Sequence, residues 1–141
     1  MRFLVVDASF VLRLILAGPL QARSRVLTTE WKTAGYVLCA PTLWVYEVTS
    51  ALCKLVHFAE LSDEEGRRAL AVAHALNVRL FPADIAQSRL AYDWTARLQR
   101  AAAYDSFYLA LAQTLQCELW TADKRLHNAV NLRWVRWVSE A

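Results

Sequence analysis

Four acids in this 141-residue chain stand where a charge is unfavourable. Asp7 closes the apolar run 3–6 of RFLVVDASF with no basic residue beside it. Glu47, in TLWVYEVTSALCKL, falls at helical spacing with Leu43, Ala51 and Leu55, an otherwise apolar stripe. An acid there costs stability unless it is paired or faces a cleft. Asp105, in AAAYDSFYLALAQTL, opens a helix that is apolar almost all round. Asp123, in ELWTADKRL, follows a second apolar strand much as Asp7 follows the first. Taken singly, Asp7, Asp105 and Asp123 also read as caps of the helices that come after them.

The remaining acids have simpler places. Asp63, Glu64 and Glu65 fall in the first turn of a helix, where the macrodipole favours them. Asp84 is placed to cap a helix, Asp93 lies among polar helical positions, and Glu30, Glu60 and Glu118 read as solvated. His57, His74 and His127 are far apart, and Cys39, Cys53 and Cys117 show no CxxC spacing. A histidine or thiolate metal site and a disulfide scaffold are therefore unsupported, and three buried reduced thiols are expected.

As a group, the four acids point to a different chemistry. Like charges about 4 Å apart repel by roughly 4 kcal/mol at an effective dielectric near ~20. Such a cluster protonates or disperses unless something compensates it. A hard divalent cation does so, and magnesium, with manganese as a substitute, takes oxygen ligands while needing few protein carboxylates. Beside a phosphodiester, such an ion activates water and stabilises the leaving oxygen, so phosphodiester hydrolysis is the reaction that fits. Ser9 and Thr121, each two residues from a strand-end Asp, can aim those carboxylates by hydrogen bonds or serve as ordinary turn residues.

These residues depend on the elements that carry them. Strands are expected at 3–6, 36–40, 78–81, 118–121 and 132–138. Helices are expected at 10–17, 20–33, 43–58, 63–76, 84–100 and 105–115, with a short one beginning at Lys124 and Arg125. Ser62 and Glu65 form a capping box, and Gly18-Pro19 separates the first two helices. Alternating strands and helices predict an α/β fold, a three-layer α/β/α sandwich around a mostly parallel sheet of about five strands, in a single domain over 1–141. Asp7 and Asp123 then lie on the carboxyl edge of the sheet, where open α/β folds bind ligands.

The chain is 57% hydrophobic, yet polar residues such as Arg13, Lys54 and Gln113 interrupt every run before it reaches bilayer length. Its start lacks a signal-peptide pattern, so a cytoplasmic protein with no membrane partner is expected. The formal net charge is +3. Arg97, Arg100, Lys124, Arg125, Arg133 and Arg136 make the last third basic, which suits either a phosphate backbone or a solvated surface. Trp134 and Trp137 in LRWVRWVSEA read as core cover or as stacking platforms for RNA bases.

VVDASFVL, WVYEVTSAL, YDSFYLALA and LWTADKRL, in this order and spacing, resemble the PIN-domain ribonucleases, most closely the VapC-type toxins of toxin–antitoxin pairs. The resemblance covers nearly the whole chain. It implies a magnesium-dependent endoribonuclease with Asp7, Glu47, Asp105 and Asp123 as the acidic site. Asp7 and Asp105 match the family's usual magnesium ligands, Asp123 joins them or binds a second ion, and Glu47 holds or activates water. Ser9 and Thr121 match the small hydroxyl residues beside those acids. The resemblance further implies an RNA substrate, an antitoxin whose tail enters the cleft, and a homodimer, with residues 20–35 and 62–77 in the outer helices where partners meet. His127-Asn128 sits where some members carry another acid, which leaves open one metal ion or two.

Other classes fit less well. A haloacid-dehalogenase-type phosphatase wants a second Asp where Ser9 stands, and a receiver domain wants an acid adjacent to Asp7. There is no GxSxG and no glycine-rich phosphate loop. The alternative from a different class is a PIN-like module that binds RNA or protein without cutting.

Overall fold

In strand β1 (Arg2–Val6) the consecutive residues Leu4, Val5 and Val6 are all buried. Successive strand residues face opposite ways, so burial of all three requires cover on both faces of the sheet. A computed structural model describes residues 1–140 and supplies that cover. Ala141, counted in the expected domain, lies outside the described residues. The elements follow as α1 (Ala8–Ile15), α2 (Gln21–Thr33), β2 (Tyr36–Pro41), α3 (Leu43–His57), α4 (Asp63–Ala75), β3 (Arg79–Phe81), α5 (Ile85–Arg97), α6 (Tyr104–Leu115), β4 (Leu119–Thr121), α7 (Lys124–Val130) and β5 (Val135–Trp137).

The sheet has the order β3-β2-β1-β4-β5, with all neighbours parallel. One row of paired residues crosses it: Arg79, Cys39, Val5, Leu119 and Val135. From β1 the chain winds one way through β2 to β3, then returns and winds the other way through β4 to β5. The reversal falls between β1 and β4, and such switch points leave a crevice at the carboxyl ends of the two strands. Asp7 follows β1 and Asp123 follows β4 by two residues, so both expected strand-end acids lie at this crevice.

The expected elements are all present, with boundary differences that have local causes. Helix α1 begins at Ala8, two residues early, because Asp7 Oδ1 accepts the Phe10 N–H at 2.9 Å and caps it. Helix α5 ends at Arg97, short of residue 100. There the Gln99 N–H bonds the Ala96 carbonyl and the Arg100 N–H bonds the Thr95 carbonyl, a Schellman closure with Gln99 left-handed at φ +54°. Strand β5 keeps only Val135–Trp137 of the expected 132–138, since a turn from Leu132 to Val135 precedes it. Ser62 and Glu65 form the capping box, and Asp84 caps α5.

Two expectations about single residues change. Only Cys39 of the three thiols is buried, while Cys117 is half-buried and Cys53 faces outward from α3 beside buried Leu52. Glu118 is not simply solvated, for it accepts the Trp120 indole N–H and pairs with Arg136 at 3.0 Å. Trp134 lies edge-on to Trp94, and Trp137 lies beside His127, so both cover the protein interior. Among the described residues no helix is long and apolar enough to cross a membrane.

Helices α3 and α4 approach closely at Gly66, where a Cβ would lie 2.6 Å from Val56 Cγ2. Replacing helical Gly by Ala ordinarily gains about 1 kcal/mol of propensity, whereas overpacking costs about 1–3 kcal/mol. The short, branched Val56 cannot swing aside as a long side chain would. Gly66→Ala is therefore expected to lower the melting temperature by several degrees, and thermal unfolding that shows a rise would place the two helices further apart than described here.

Candidate active site

Asp7 is 5% exposed and sits at the cap of α1, between the β1 and β4 ends. Its Oδ1 accepts the Phe10 N–H and, at 2.7 Å, the Ser9 hydroxyl. Ser9 Oγ also accepts the Ala122 N–H at 3.0 Å and lies 3.2 Å from Thr121 Oγ1, which accepts the Asp123 N–H at 3.0 Å. The two hydroxyls thus tie the turn after β1 to the turn after β4. Asp123 Oδ1 in its turn accepts the N–H groups of Arg125 and Leu126 and caps α7. Asp7 and Asp123 are therefore both caps and neighbours of the same crevice.

Glu47 and Asp105 reach this crevice from helices. Glu47 is half-buried on α3, and the Tyr108 hydroxyl donates to its Oε1 at 2.6 Å. Tyr108 is 1% exposed and stands one turn beyond Asp105 on α6. Asp105 lies in the first turn of α6 but does not cap it, because Ala103 holds that position without a side-chain bond. Instead Asp105 Oδ2 accepts from Arg100 Nη1 at 2.9 Å. Thr95 donates to Ser106 Oγ at 2.8 Å and Trp94 Nε1 donates to Gln113 at 2.9 Å, which fixes α6 against α5 and with it the position of Asp105.

The charges of these acids are felt between them. Burial pushes the Asp7 carboxyl up to about 6, against the nearby Thr121 hydroxyl and the bonds from Ser9 and Phe10, and the charge of Asp105 adds to the rise. Burial likewise raises Glu47 above the usual carboxylate range, with the Tyr108 bond opposing and Asp105 adding. Asp105 is raised by burial, lowered by Arg100 and raised by Asp123. Tyr108 is held far above its ordinary value by burial and by Glu47, so it remains a donor.

The donor set is oxygen only, which suits a hard divalent cation rather than zinc. Among the described residues no three His, Cys, Asp or Glu side chains yet converge on one point where an ion would sit. Asp105 Oδ2 is turned to Arg100 and Glu47 Oε1 to Tyr108, so each of these acids has one oxygen engaged and one left over. A groove of about 670 Å3 opens beside Glu47, lined by Leu43, Tyr46, Ala51, Lys54, Tyr104 and Phe107. Of the four acids, only Glu47 borders it. The stripe that carries Glu47 is thus the wall of a cleft.

Two residues of the site were not singled out by sequence reasoning. Tyr108 carried a signal, because a phenol on a helix that is apolar nearly all round needs a partner for its hydroxyl. Arg100 was visible only as part of the basic third, since nothing in local sequence says that a loop will fold it back onto the next helix.

A parallel α/β/α sandwich with carboxylates gathered at its switch point is the architecture of a PIN domain, and residues 5–137 match the family model described as PIN domain. The chain belongs to that family. Within it, the sequence is 37% identical over 123 residues to a VapC ribonuclease of Mycobacterium bovis and to ribonuclease VapC9 of Mycobacterium tuberculosis, the match spanning 87% of this chain and 87% of each relative. Among solved structures, M. tuberculosis VapC20, a sarcin–ricin loop cleaving toxin, superposes with a TM-score of 0.67 at 20% identity over 94% of this chain and 98% of that one. FitAB, bound to an IR36 DNA fragment, superposes at 0.66 and 14% identity over 98% of this chain and 96% of its own. The two structural likenesses carry the fold, and the VapC relatives carry the sequence kinship.

A raised carboxyl makes the fold lose stability as pH rises. Between the ordinary value of 3.8 and about 6, the folded protein holds the Asp7 proton more tightly than the unfolded chain does. Without metal, the part of the stability that comes from this proton should be full below about pH 4 and decline until about pH 6, by up to ~3 kcal/mol in total. Asp7→Asn keeps the Oδ1 acceptor of both bonds and removes the charge. In EDTA at neutral pH it is expected to raise the melting temperature by several degrees and to flatten its pH dependence. A lower melting temperature in calorimetry would mean that the ionised carboxylate is favoured where it lies.

Proposed function

We propose that this protein is a divalent-metal-dependent endoribonuclease, with magnesium as the working ion, that hydrolyses RNA phosphodiester bonds as the toxin of a toxin–antitoxin pair. The observation that carries the reading is the set of four acids from β1, α3, α6 and β4 whose charges reach one another at the sheet's switch point. Kinship with VapC ribonucleases supports the same conclusion. The whole chain is read as one PIN domain working in the cytoplasm.

Asp7, Asp105 and Asp123 are the residues that would hold the ion. When bound, the ion supplies an activated water and neutralises charge on the phosphate. Glu47 is the acid left to handle a proton: Tyr108 fixes its Oε1, which leaves Oε2 to orient a water, and its raised carboxyl lies closer to neutrality, where a general base is most effective. Ser9 and Thr121 hold the two strand-end turns at a fixed separation. Lys124 and exposed Arg125 follow Asp123 directly and place positive charge where an RNA backbone would pass.

Two protein partners complete the reading. Tyr46 and Tyr104, 73% and 63% exposed, flank the groove beside Glu47 and suit the tail of an antitoxin. A second copy of the chain is the other, as a homodimer.

Cleavage of structured RNAs by the full chain, with magnesium and with EDTA, tests the enzyme. Cleavage should require the ion, and Asp7→Asn and Glu47→Gln should each slow it by about 100-fold or more. Cleavage that persists in EDTA, or an unimpaired Asp7→Asn, would remove the metal-dependent reading of the acidic site, and tight RNA or protein binding without cleavage would establish the non-catalytic module instead.

A further inference from the structure

Of the four acids, Asp105 alone among the described residues forms a salt bridge, and its partner is the part-exposed Arg100. The Arg100 and Asp105 side chains are 30% and 39% exposed, so the pair is neither locked inside nor free in solvent. The contact runs through Nη1 and one carboxylate oxygen, a single-donor geometry that is weaker than a two-pronged clamp. The Arg100 backbone, by contrast, is held by the Schellman closure at the end of α5. A change of partner therefore needs side-chain rotation only, with no movement of the loop.

We propose that Arg100 exchanges partners: it holds Asp105 until a divalent cation takes that carboxylate, then binds an RNA phosphate beside the site, so that metal and RNA favour each other's binding through it. This rests on the metal-dependent nuclease reading above. A doubly charged ion relieves Asp105 of repulsion from Asp7, Glu47 and Asp123 together, which one guanidinium at the rim does less well. Once the ion is bound, Arg100 faces a like charge and has lost its carboxylate. The nearest strong anion is then the phosphodiester drawn to the same ion, and the planar guanidinium fork matches a phosphate. Linkage makes the effect reciprocal: metal frees Arg100 for RNA, and RNA frees Asp105 for metal.

The exchange is tested without cleavage. Affinity for a short labelled single-stranded RNA is measured in EDTA by fluorescence anisotropy, for the wild type, Asp105→Asn, Arg100→Met and the double variant, each checked for folding by thermal unfolding. Asp105→Asn releases Arg100 and should bind RNA roughly five- to ten-fold more tightly than wild type, and that gain should vanish in the Arg100→Met background. An equal gain in both backgrounds would reflect the lost charge alone and overturn the proposal. In a second arm, Mn2+ uptake without RNA is followed by electron paramagnetic resonance of the free ion. Arg100→Met should bind Mn2+ about five-fold more tightly, because the competing cation is gone. Unchanged or weaker uptake overturns the exchange, whereas no uptake by either protein overturns the metal-dependent reading itself. Should Arg100→Met fail to fold, Arg100→Gln takes its place in both arms.

Discussion

A carboxylate taken out of water needs hydrogen bonds, an opposite charge or a proton, and four of them gathered at one sheet edge need all three. The site answers with a different device at each position. Asp7 takes a hydroxyl and a backbone N–H and still holds its proton until about pH 6. Glu47 takes the phenol of Tyr108. Asp105 takes the guanidinium of Arg100, and Asp123 takes two N–H groups at the start of α7. Backbone donors at the strand ends are immovable, while Arg100 is a side chain on a rim. The compensation is thus rigid where the sheet supplies it and exchangeable where a loop does.

The scaffold explains why residues so far apart in sequence meet. Pairing of β1 with β4 puts the turns after them side by side, and the Asp7 N–H reaching the Trp120 carbonyl at 3.3 Å joins them at the last rung. The helical acids depend on tertiary packing instead. Asp105 is delivered by the α5–α6 hairpin through the Thr95–Ser106 and Trp94–Gln113 bonds, and Glu47 by α3, which follows β2 after a single residue. Buried Tyr108 then spans from one helix to the other. Loss of that phenol would leave Glu47 half-buried with no donor, a group whose cost is about 1–3 kcal/mol.

The layout of the fold was legible because its signals are local. Apolar runs, the Ser62–Glu65 box and the Gly18-Pro19 break each act within a few residues, and the strands and helices they predict are present. Boundaries slipped where a cap or a closure decided them, as at Ala8 and Gln99. The four acids were legible as misfits in apolar patterns, and the topology brings them to one crevice. Arg100 and the destination of the Tyr108 hydroxyl were not legible, since both depend on how α5, α6 and α3 pack. The same limit hid the Arg136–Glu118 pair, which joins β5 to the approach of β4.

Reading Asp7 and Asp123 as either caps or functional acids sets apart two roles that the geometry allows together. In both residues every cap bond goes to Oδ1: the Phe10 N–H for Asp7, and the Arg125 and Leu126 N–H groups for Asp123. Pinning one oxygen of a planar carboxylate fixes the direction of the other, which takes no part in the cap. A helix start therefore serves as a mount that orients the second oxygen, with little conformational entropy left to it. Helix starts also favour negative charge through the macrodipole, which opposes the burial that raises Asp7. The fold does not merely tolerate acids at the ends of β1 and β4. It uses their backbone bonds to aim them, and the proposed cation would meet oxygens already oriented.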